Sequence, residues 1–459
     1  MVSNFKTYLN KISHAAPLVV FRICFGLLML QSIVRFWSKG WIYDLYIQPK
    51  FHFTYYNFEW VKPLGNYTYI LFVICAISAI LIVIGYKYRL AVFLFFISFT
   101  YIELMDKTSY LNHYYFVSVL SFLMFFIPAN AYFSVDALVR KKAFKYVPSY
   151  TIDSIKLLLA IVYFYAGLAK INSDWLFRAM PLKIWLPSKY DIPFIGNSLL
   201  QQEWMHYFMS WSGMLYDLFI PFLLLYKRTR ILAFVAVVVF HLFTRILFPI
   251  GMFPYIMIVS SLIFFSDNFH IKIINYLRKI ISKLPIAIDK NIAIVKDQNV
   301  FSINKKRLTL GVLAVFFTIQ LLLPFRYLLY PGELFWTEEG YRFSWRVMLM
   351  EKMGYANFKI VDSKTKKQFY VKNADFLTPF QEKQMSTQPD FIVQYAHYLG
   401  DHFKKQNHKN IQVFVESYVA FNGRLSRPYI NPKVDLYKEK DLLKHKTWIL
   451  PFNDEIKGF

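Results

Sequence analysis

Between two apolar stretches the chain carries MDKTSYLNHYYF, residues 105 to 116, which puts Asp106, Lys107, Asn112 and His113 beside segments suited to a bilayer. A second stretch, VYFYAGLAKINSDW from Val162 to Trp175, sets Tyr163, Ala166, Gly167 and Lys170 on one helical face. Ionisable groups at membrane depth are costly and are functional candidates by default. Here they are Arg22, Asp106, Lys107, His113, Lys170, Asp217, His241 and Arg245. Around Lys170, two small residues leave room between a phenol and an amine, and a lysine held in a dry pocket could act as a base near neutral pH. The same spacing fits plain helix packing at Ala166 and Gly167, with Lys170 snorkelling to the outer surface.

The other candidates have simpler readings. Arg22, early in the first apolar stretch, is expected to snorkel to the interface. Asp106 and Lys107, near the end of a span, read as a structural charge pair or a snorkelling pair, and His113, seven residues on, shares the Asp106 face if that helix is continuous. His241 and Arg245, four apart on one face, read as hydrogen-bonding groups inside a bundle. Asp217, in GMLYDLFIPF, needs a partner from another helix, which the spacing does not name. The signatures GxSxG, HExxH, the phosphate loop and the dinucleotide glycine fingerprint do not occur. Any chemistry must therefore come from isolated polar groups facing an apolar cavity.

The elements that would position these groups are transmembrane helices. Mean hydropathy is +0.34 and 56% of the 459 residues are hydrophobic. Runs of about 20 apolar residues, the length a bilayer requires, begin near residues 16, 67, 90, 113, 153, 205, 231, 250 and 308. About nine helices are expected, each satisfying its own backbone. The net charge of +25 comes from Lys and Arg spread through loops and tail, which fits anionic lipid rather than nucleic acid. Lys87, Arg89, the run 140–145, the run 227–230 and roughly nine more basic residues in the connector 267–307 lie on the side of the N-terminus. The positive-inside bias then puts the N-terminus in the cytoplasm and, with an odd number of spans, the tail outside. The first span reads as an uncleaved signal anchor. Cys24 and Cys75 both fall inside spans, so neither a disulfide framework nor a cysteine metal site is expected.

The long apolar runs stop at residue 327, which divides the chain into a transmembrane part, 1–327, and a small mixed α/β domain, 328–459. FKIVDSKTKKQFYV (358–371) predicts a hairpin, 385–405 a helix and IQVFVESYVAF (411–421) a half-buried strand. IKIINYLRKIISKL (271–284) is basic and amphipathic, suited to a cytoplasmic membrane surface.

Several strings together resemble vitamin K-dependent γ-glutamyl carboxylases: DKTSYLNHYY (106–115), YFYAGLAKINSDW (163–175), IGMFPYIMIVSS (250–261), YRFSW (341–345), QYAHYL (394–399), FNGR (421–424) and NPKVDL (431–436). They occur in the family's order and cover most of the chain. The resemblance implies that a protein base deprotonates vitamin K hydroquinone and that oxygen converts the anion into a strongly basic alkoxide. The alkoxide takes a γ-proton from a glutamate of a peptide or protein substrate, carbon dioxide adds to the carbanion, and vitamin K leaves as its epoxide. Such chemistry requires a cavity that excludes water, and it implies no metal.

By the same resemblance, Lys170 is the base, and Asn112 and His113 orient the reacting species or support its developing charge. Asp106 and Lys107 hold that helix end. Tyr341, Trp345 and Met348, with Tyr163 and His241, line the substrate pocket, and Arg424 offers a guanidinium fork to the substrate carboxylate. The plainer reading of Arg424 is a basic surface residue. Two departures from animal members are Ala169, where they carry a second lysine, and the lack of their additional C-terminal region. The resemblance is therefore to shorter, bacterial-type members, and propeptide recognition of the animal kind is not implied. Two other readings stay open: quinone epoxidation with another acceptor, and a non-catalytic lipid- or quinone-binding membrane protein or transporter.

Overall fold

The computed structural model describes residues 2–196, 198–283, 300–303, 305–406 and 410–459. All nine apolar stretches are helical: α1 (Ala16–Ser38), α2 (Thr68–Ile84), α3 (Tyr88–Leu104), α4 (Asn112–Phe126), α5 (Ser149–Leu168), α6 (Glu203–Leu225), α7 (Arg230–Leu247), α8 (Phe253–Ser261) and, after α9 (Asp267–Ile281), α10 (Lys306–Leu322). Among the described residues, six helices are long and apolar enough to cross a membrane, or seven if the bent pair α8–α9 counts as one span. The count is lower than the expected nine because α3, α4 and α8 are short. The 15 residues of α4 rise only about 23 Å at ~1.5 Å each, against a hydrocarbon core of about 30 Å. The chain is nonetheless an integral membrane protein, mostly helical, with a small sheet-containing C-terminal region.

The helix α9 turns 114° away from the span before it, burying His270 and Ile274 against α1 while Lys272 and Lys279 stay exposed. Of the connector's basic residues, Lys290 and Lys296 lie outside the described residues, as does Leu284 at the end of the amphipathic stretch.

Arg22 does not snorkel. It is 1% exposed, and its guanidinium donates to the carbonyls of Ile82 at 2.7 Å, Val83 at 2.6 Å and Phe133 at 2.8 Å. The α2 end at Gly85, left-handed at φ +67°, breaks the helix; the Ile82 carbonyl accepts the Gly85 amide at 3.1 Å, and Arg22 adds a second bond to it and takes up the Val83 carbonyl. Each carbonyl left bare costs about 1–3 kcal/mol. Arg22→Met should therefore lower the detergent-solubilised thermal midpoint clearly, with Arg22→Lys intermediate; a midpoint equal to wild type would show that water replaces the cap.

The C-terminal region follows the expected pattern. An antiparallel sheet runs in the order β2 (Gln368–Tyr370), β1 (Lys352–Asp362), β3 (Ile411–Phe421), β4 (Arg427–Pro428). The hairpin 358–371 is β1 turning into β2, and β3 spans the predicted strand with alternate residues buried. The predicted helix 385–405 is α12 (Pro389–Lys405), preceded by α11 (Pro379–Met385), whose capping box pairs Thr378 with Gln381.

This region is not packed as a separate globule. Its core of Phe358, Phe391, Val413 and Tyr429 continues into Trp175, Leu176, Met214 and Leu247 from the ends of the membrane helices. The continuity brings the segment 341–349 against the helix ends that carry Lys170 and His113.

Candidate functional site

Lys170 follows the last turn of α5. A side chain on Gly167 would meet the Leu218 backbone nitrogen at 2.6 Å, so only glycine lets α6 approach this closely. That approach delivers the partner that spacing did not name: Lys170 Nζ donates to Asp217 Oδ2 at 2.8 Å and to the Ala166 carbonyl at 3.0 Å. Both side chains are buried, and the amine lies 5.4 Å from the centre of the Trp175 ring. The expectation that Asp217 is a structural charge is thus sharpened, because it is the counter-ion of Lys170.

The pair sits on the wall of a cavity of about 100 Å³ whose other walls include Trp175, Trp185, Phe240, His241, Phe253 and Met348. Tyr163 and His241 face each other across it, hydroxyl to Nε2 at 3.0 Å. Among the described residues, His241 Nδ1 is buried without a hydrogen-bond partner.

Asn112 and His113 open α4, which starts afresh after a break at 105–111. Asp106 and His113 therefore do not share one continuous helical face. His113 lines a neighbouring cavity of about 390 Å³ together with Arg35, Tyr110, Tyr341 and Met348. Its ring packs at 4.6 Å from Tyr114 and 5.9 Å from Phe253, and among the described residues it makes no side-chain hydrogen bond. Asn112 Nδ2 donates to the Arg346 carbonyl at 2.9 Å while its Oδ1 accepts from the Tyr110 hydroxyl at 3.1 Å. Lys170 and His113 thus belong to two cavities that share Ile250, Phe253, Val347 and Met348. Phe253 stands between His113 and His241, 5.7 Å from the latter.

The segment 341–348 contributes to both cavities under backbone strain. Phe343, Trp345 and Met348 are all left-handed, at φ +61°, +60° and +55°. Such bulky residues hold that conformation only where their surroundings over-determine it, at roughly 1–3 kcal/mol each. Tyr341 lines the His113 cavity and Met348 lines both. Trp345 does not line either. It is 1% exposed and packs on Tyr115 and Phe116 at 4.8 and 6.4 Å, so its role is to seat the segment.

Three charged residues act elsewhere than spacing, for Asp106 and Lys107, or resemblance, for Arg424, suggested. Asp106 and Lys107 do not pair with each other. Asp106 accepts from the Thr108 amide at 2.9 Å and faces His52 Nδ1 at 3.0 Å, while Lys107 reaches Asp390 at 2.7 Å. Arg424 is not free for a substrate carboxylate, because its two terminal nitrogens grip Asp174, each at 2.7 Å, and its Nε bonds Asp454. It ties the strand end of β3 to the short helix Ser173–Arg178 that follows Lys170. Arg245 and the two cysteines add nothing to the site: Cys24 and Cys75 are free, and Cys75 meets Ser98 at 3.0 Å.

Arg346, not singled out from sequence, is the residue that links the two halves. It is 3% exposed and stacks over Tyr327 at 4.5 Å, and its carbonyl holds Asn112 and the Tyr341 hydroxyl. No group of three or more His, Cys, Asp or Glu able to hold a metal occurs among the described residues.

Comparison with known proteins places two family models on the chain: the HTTM domain over residues 10–269, and the vitamin K-dependent gamma-carboxylase, lumenal domain, over residues 305–455. No solved structure matches it.

Proposed function

Because the chain belongs to the vitamin K-dependent gamma-carboxylase family, we propose that it carboxylates glutamate side chains with reduced vitamin K, oxygen and carbon dioxide, using Lys170 as the base that activates the quinol. Its domains suggest the carboxylase activity; the observation that carries the role of the base is the Lys170–Asp217 pair, 2.8 Å apart on the wall of an apolar aromatic cavity.

The walls fit a flat aromatic diol. Trp175, Trp185, Phe240 and Phe253 offer ring faces, and Lys170, Asp217 and His241 offer polar atoms for hydroxyls. The volume beside Lys170 is below the roughly 300–1,000 Å³ of ordinary ligand sites, so ring space must be shared with the His113 cavity across Phe253 and Met348, the latter an adaptable side chain. When bound, the reduced naphthoquinone supplies electrons to oxygen and the strong base that removes the γ-proton. Overall, quinol and oxygen become epoxide and water, and carbon dioxide enters a C–H bond of glutamate.

The protein's own groups do the following. Lys170 and Asp217 form a net-neutral pair, so the shared proton can rest on Oδ2 and free the Nζ lone pair without stranding a charge in an apolar wall. Nζ then takes the quinol proton. Asn112, bonded at both ends of its amide, fixes the start of α4 and aims His113 into its cavity, where the free imidazole edge can hold a developing negative charge. Phe253 and Met348 keep water from both, and Trp185 keeps it from Lys170.

In this reading residues 1–327 form the membrane catalytic domain and 328–459 an extracytoplasmic α/β domain, with the N-terminus and the basic face of α9 on the cytoplasmic side; the loop bias of Lys and Arg supports this orientation. The test combines purified protein, vitamin K hydroquinone, oxygen, labelled bicarbonate and a glutamate peptide. Epoxide and fixed label appearing together are expected. Epoxide alone would move the assignment to another acceptor, and neither product would leave a lipid- or quinone-binding role.

A further inference from the structure

We propose that the four residues Ile456–Phe459 act as a positioning strap that couples the Lys170 loop to the Asn112–His113 helix end. This rests on the reading of Lys170 as the base. The strap lies along the three residues that follow Lys170. The Lys457 carbonyl accepts from the Ser173 amide at 2.7 Å, the Lys457 amide donates to Ser173 Oγ at 3.0 Å, and the Phe459 amide donates to the Ile171 carbonyl at 2.8 Å. Gly458 bridges Asn172 in antiparallel fashion. Asn172 in turn bonds the carbonyl of Ala169, next to Lys170, at 2.9 Å.

The other end of the strap reaches the second cavity. The Phe459 carbonyl accepts from Arg346 Nη1 at 3.2 Å, and the Arg346 carbonyl holds Asn112 at 2.9 Å. Lys170 and His113 are thereby joined by a short path of hydrogen bonds: Ile171, Phe459, Arg346, Asn112. The residues next to Arg346, Val347 and Met348, line both cavities. The two groups come from helices far apart in sequence, and the chemistry needs them in fixed relation to one substrate. A displacement of about 1 Å by a change outside the chemistry can cost on the order of 100-fold.

The strap is held by few devices. A cavity of about 370 Å³ flanks it, lined by Asn172, Glu333, Gly458 and Phe459 among others, so core packing at Ile456, which is buried beside Trp175 and Trp336, does not by itself fix the residues that follow. What does is the set of backbone bonds, the Phe459 ring against Phe325 and Tyr327 at 5.8 and 6.4 Å, and one glycine. Gly458 sits at φ +120°, and a side chain there would meet the Ile171 carbonyl oxygen at 2.3 Å. Neither the conformation nor the space admits another residue.

The test compares full-length wild type with Gly458→Val by backbone hydrogen exchange and by quinol-dependent turnover. In Gly458→Val, amides of 171–176 and of 110–116 should both exchange faster, and kcat should fall about tenfold with KM for quinol within twofold, because positioning rather than binding is lost. Unchanged exchange and turnover would overturn the strap, and faster exchange at 171–176 alone would overturn the coupling. Should Gly458→Val fail to fold, Phe459→Ala against Phe459→Tyr decides with the same readouts, Tyr restoring and Ala not. A wild type with no turnover would count against the assigned reaction, while the exchange comparison would still judge the coupling.

Discussion

Lys170→Ala is expected to abolish quinol-dependent epoxide formation, lowering turnover on the order of 10³-fold or more, the scale of a lost general base in a site that offers no substitute. The variant also strands Asp217, buried in an apolar wall with its cation gone. Breaking a buried pair from one side costs about 3–5 kcal/mol, so a loss of turnover in the single variant could reflect folding alone. The double variant Lys170→Ala/Asp217→Asn separates the two. Removing both charges should return most of the thermal midpoint and none of the turnover. Turnover within tenfold of wild type in either variant would take Lys170 out of the chemistry and leave the pair as a structural lock between α5 and α6.

The second large effect concerns Asp390, at the start of α12. Its Oδ2 accepts from Lys107 and from Arg342, each at 2.7 Å, and all three side chains are largely buried. Asp390→Ala leaves Lys107 with only Asp441, 3.7 Å away, and Arg342 without its carboxylate partner, and should cost about 3–5 kcal/mol, seen as a lower thermal midpoint and a C-terminal region open to protease. Burial by itself would raise the Asp390 carboxyl, but Arg342 and then Lys107 outweigh it and hold the group well below the usual carboxylate range. A carboxyl depressed on folding stabilises above its unfolded value, near 3.9, and that contribution is lost as pH falls through the folded value. The stability difference between wild type and Asp390→Asn should therefore be constant from pH 8 to about 5 and shrink only below about 4. A difference that faded between pH 7 and 5 would show that the depressed Asp390 carboxyl does not set the docking of the tail.

The sequence strings resemble those of the family, yet the positions they name play unequal parts. Lys170, His113 and Met348 line cavities. Trp345 and Arg424, in strings of equal strength, instead seat a strained segment and tie β3 to the helix after Lys170. A motif marks that a residue type is needed at a position. It does not distinguish a group that touches substrate from one that holds its neighbour.

What the sequence by itself determined is whatever depends on periodicity and near neighbours. Runs of apolar residues must become helices, because the bilayer supplies no partner for a bare peptide group. Alternation in 411–421 must become a half-buried strand, and the small residues at 166 and 167 must face a close neighbour. What only the tertiary structure decided is how charges far apart in the chain are matched. Spacing suggested Asp106 with Lys107, but the break at 105–111 turns Lys107 toward Asp390, 283 residues away. Gly167 lets α6 close in so that Asp217 reaches Lys170, 47 residues away, and the Val83 carbonyl at the end of α2 draws in Arg22. A buried charge takes the partner that the packing of helices brings within about 3 Å, and helix packing is a property of three dimensions that no single helix's pattern contains.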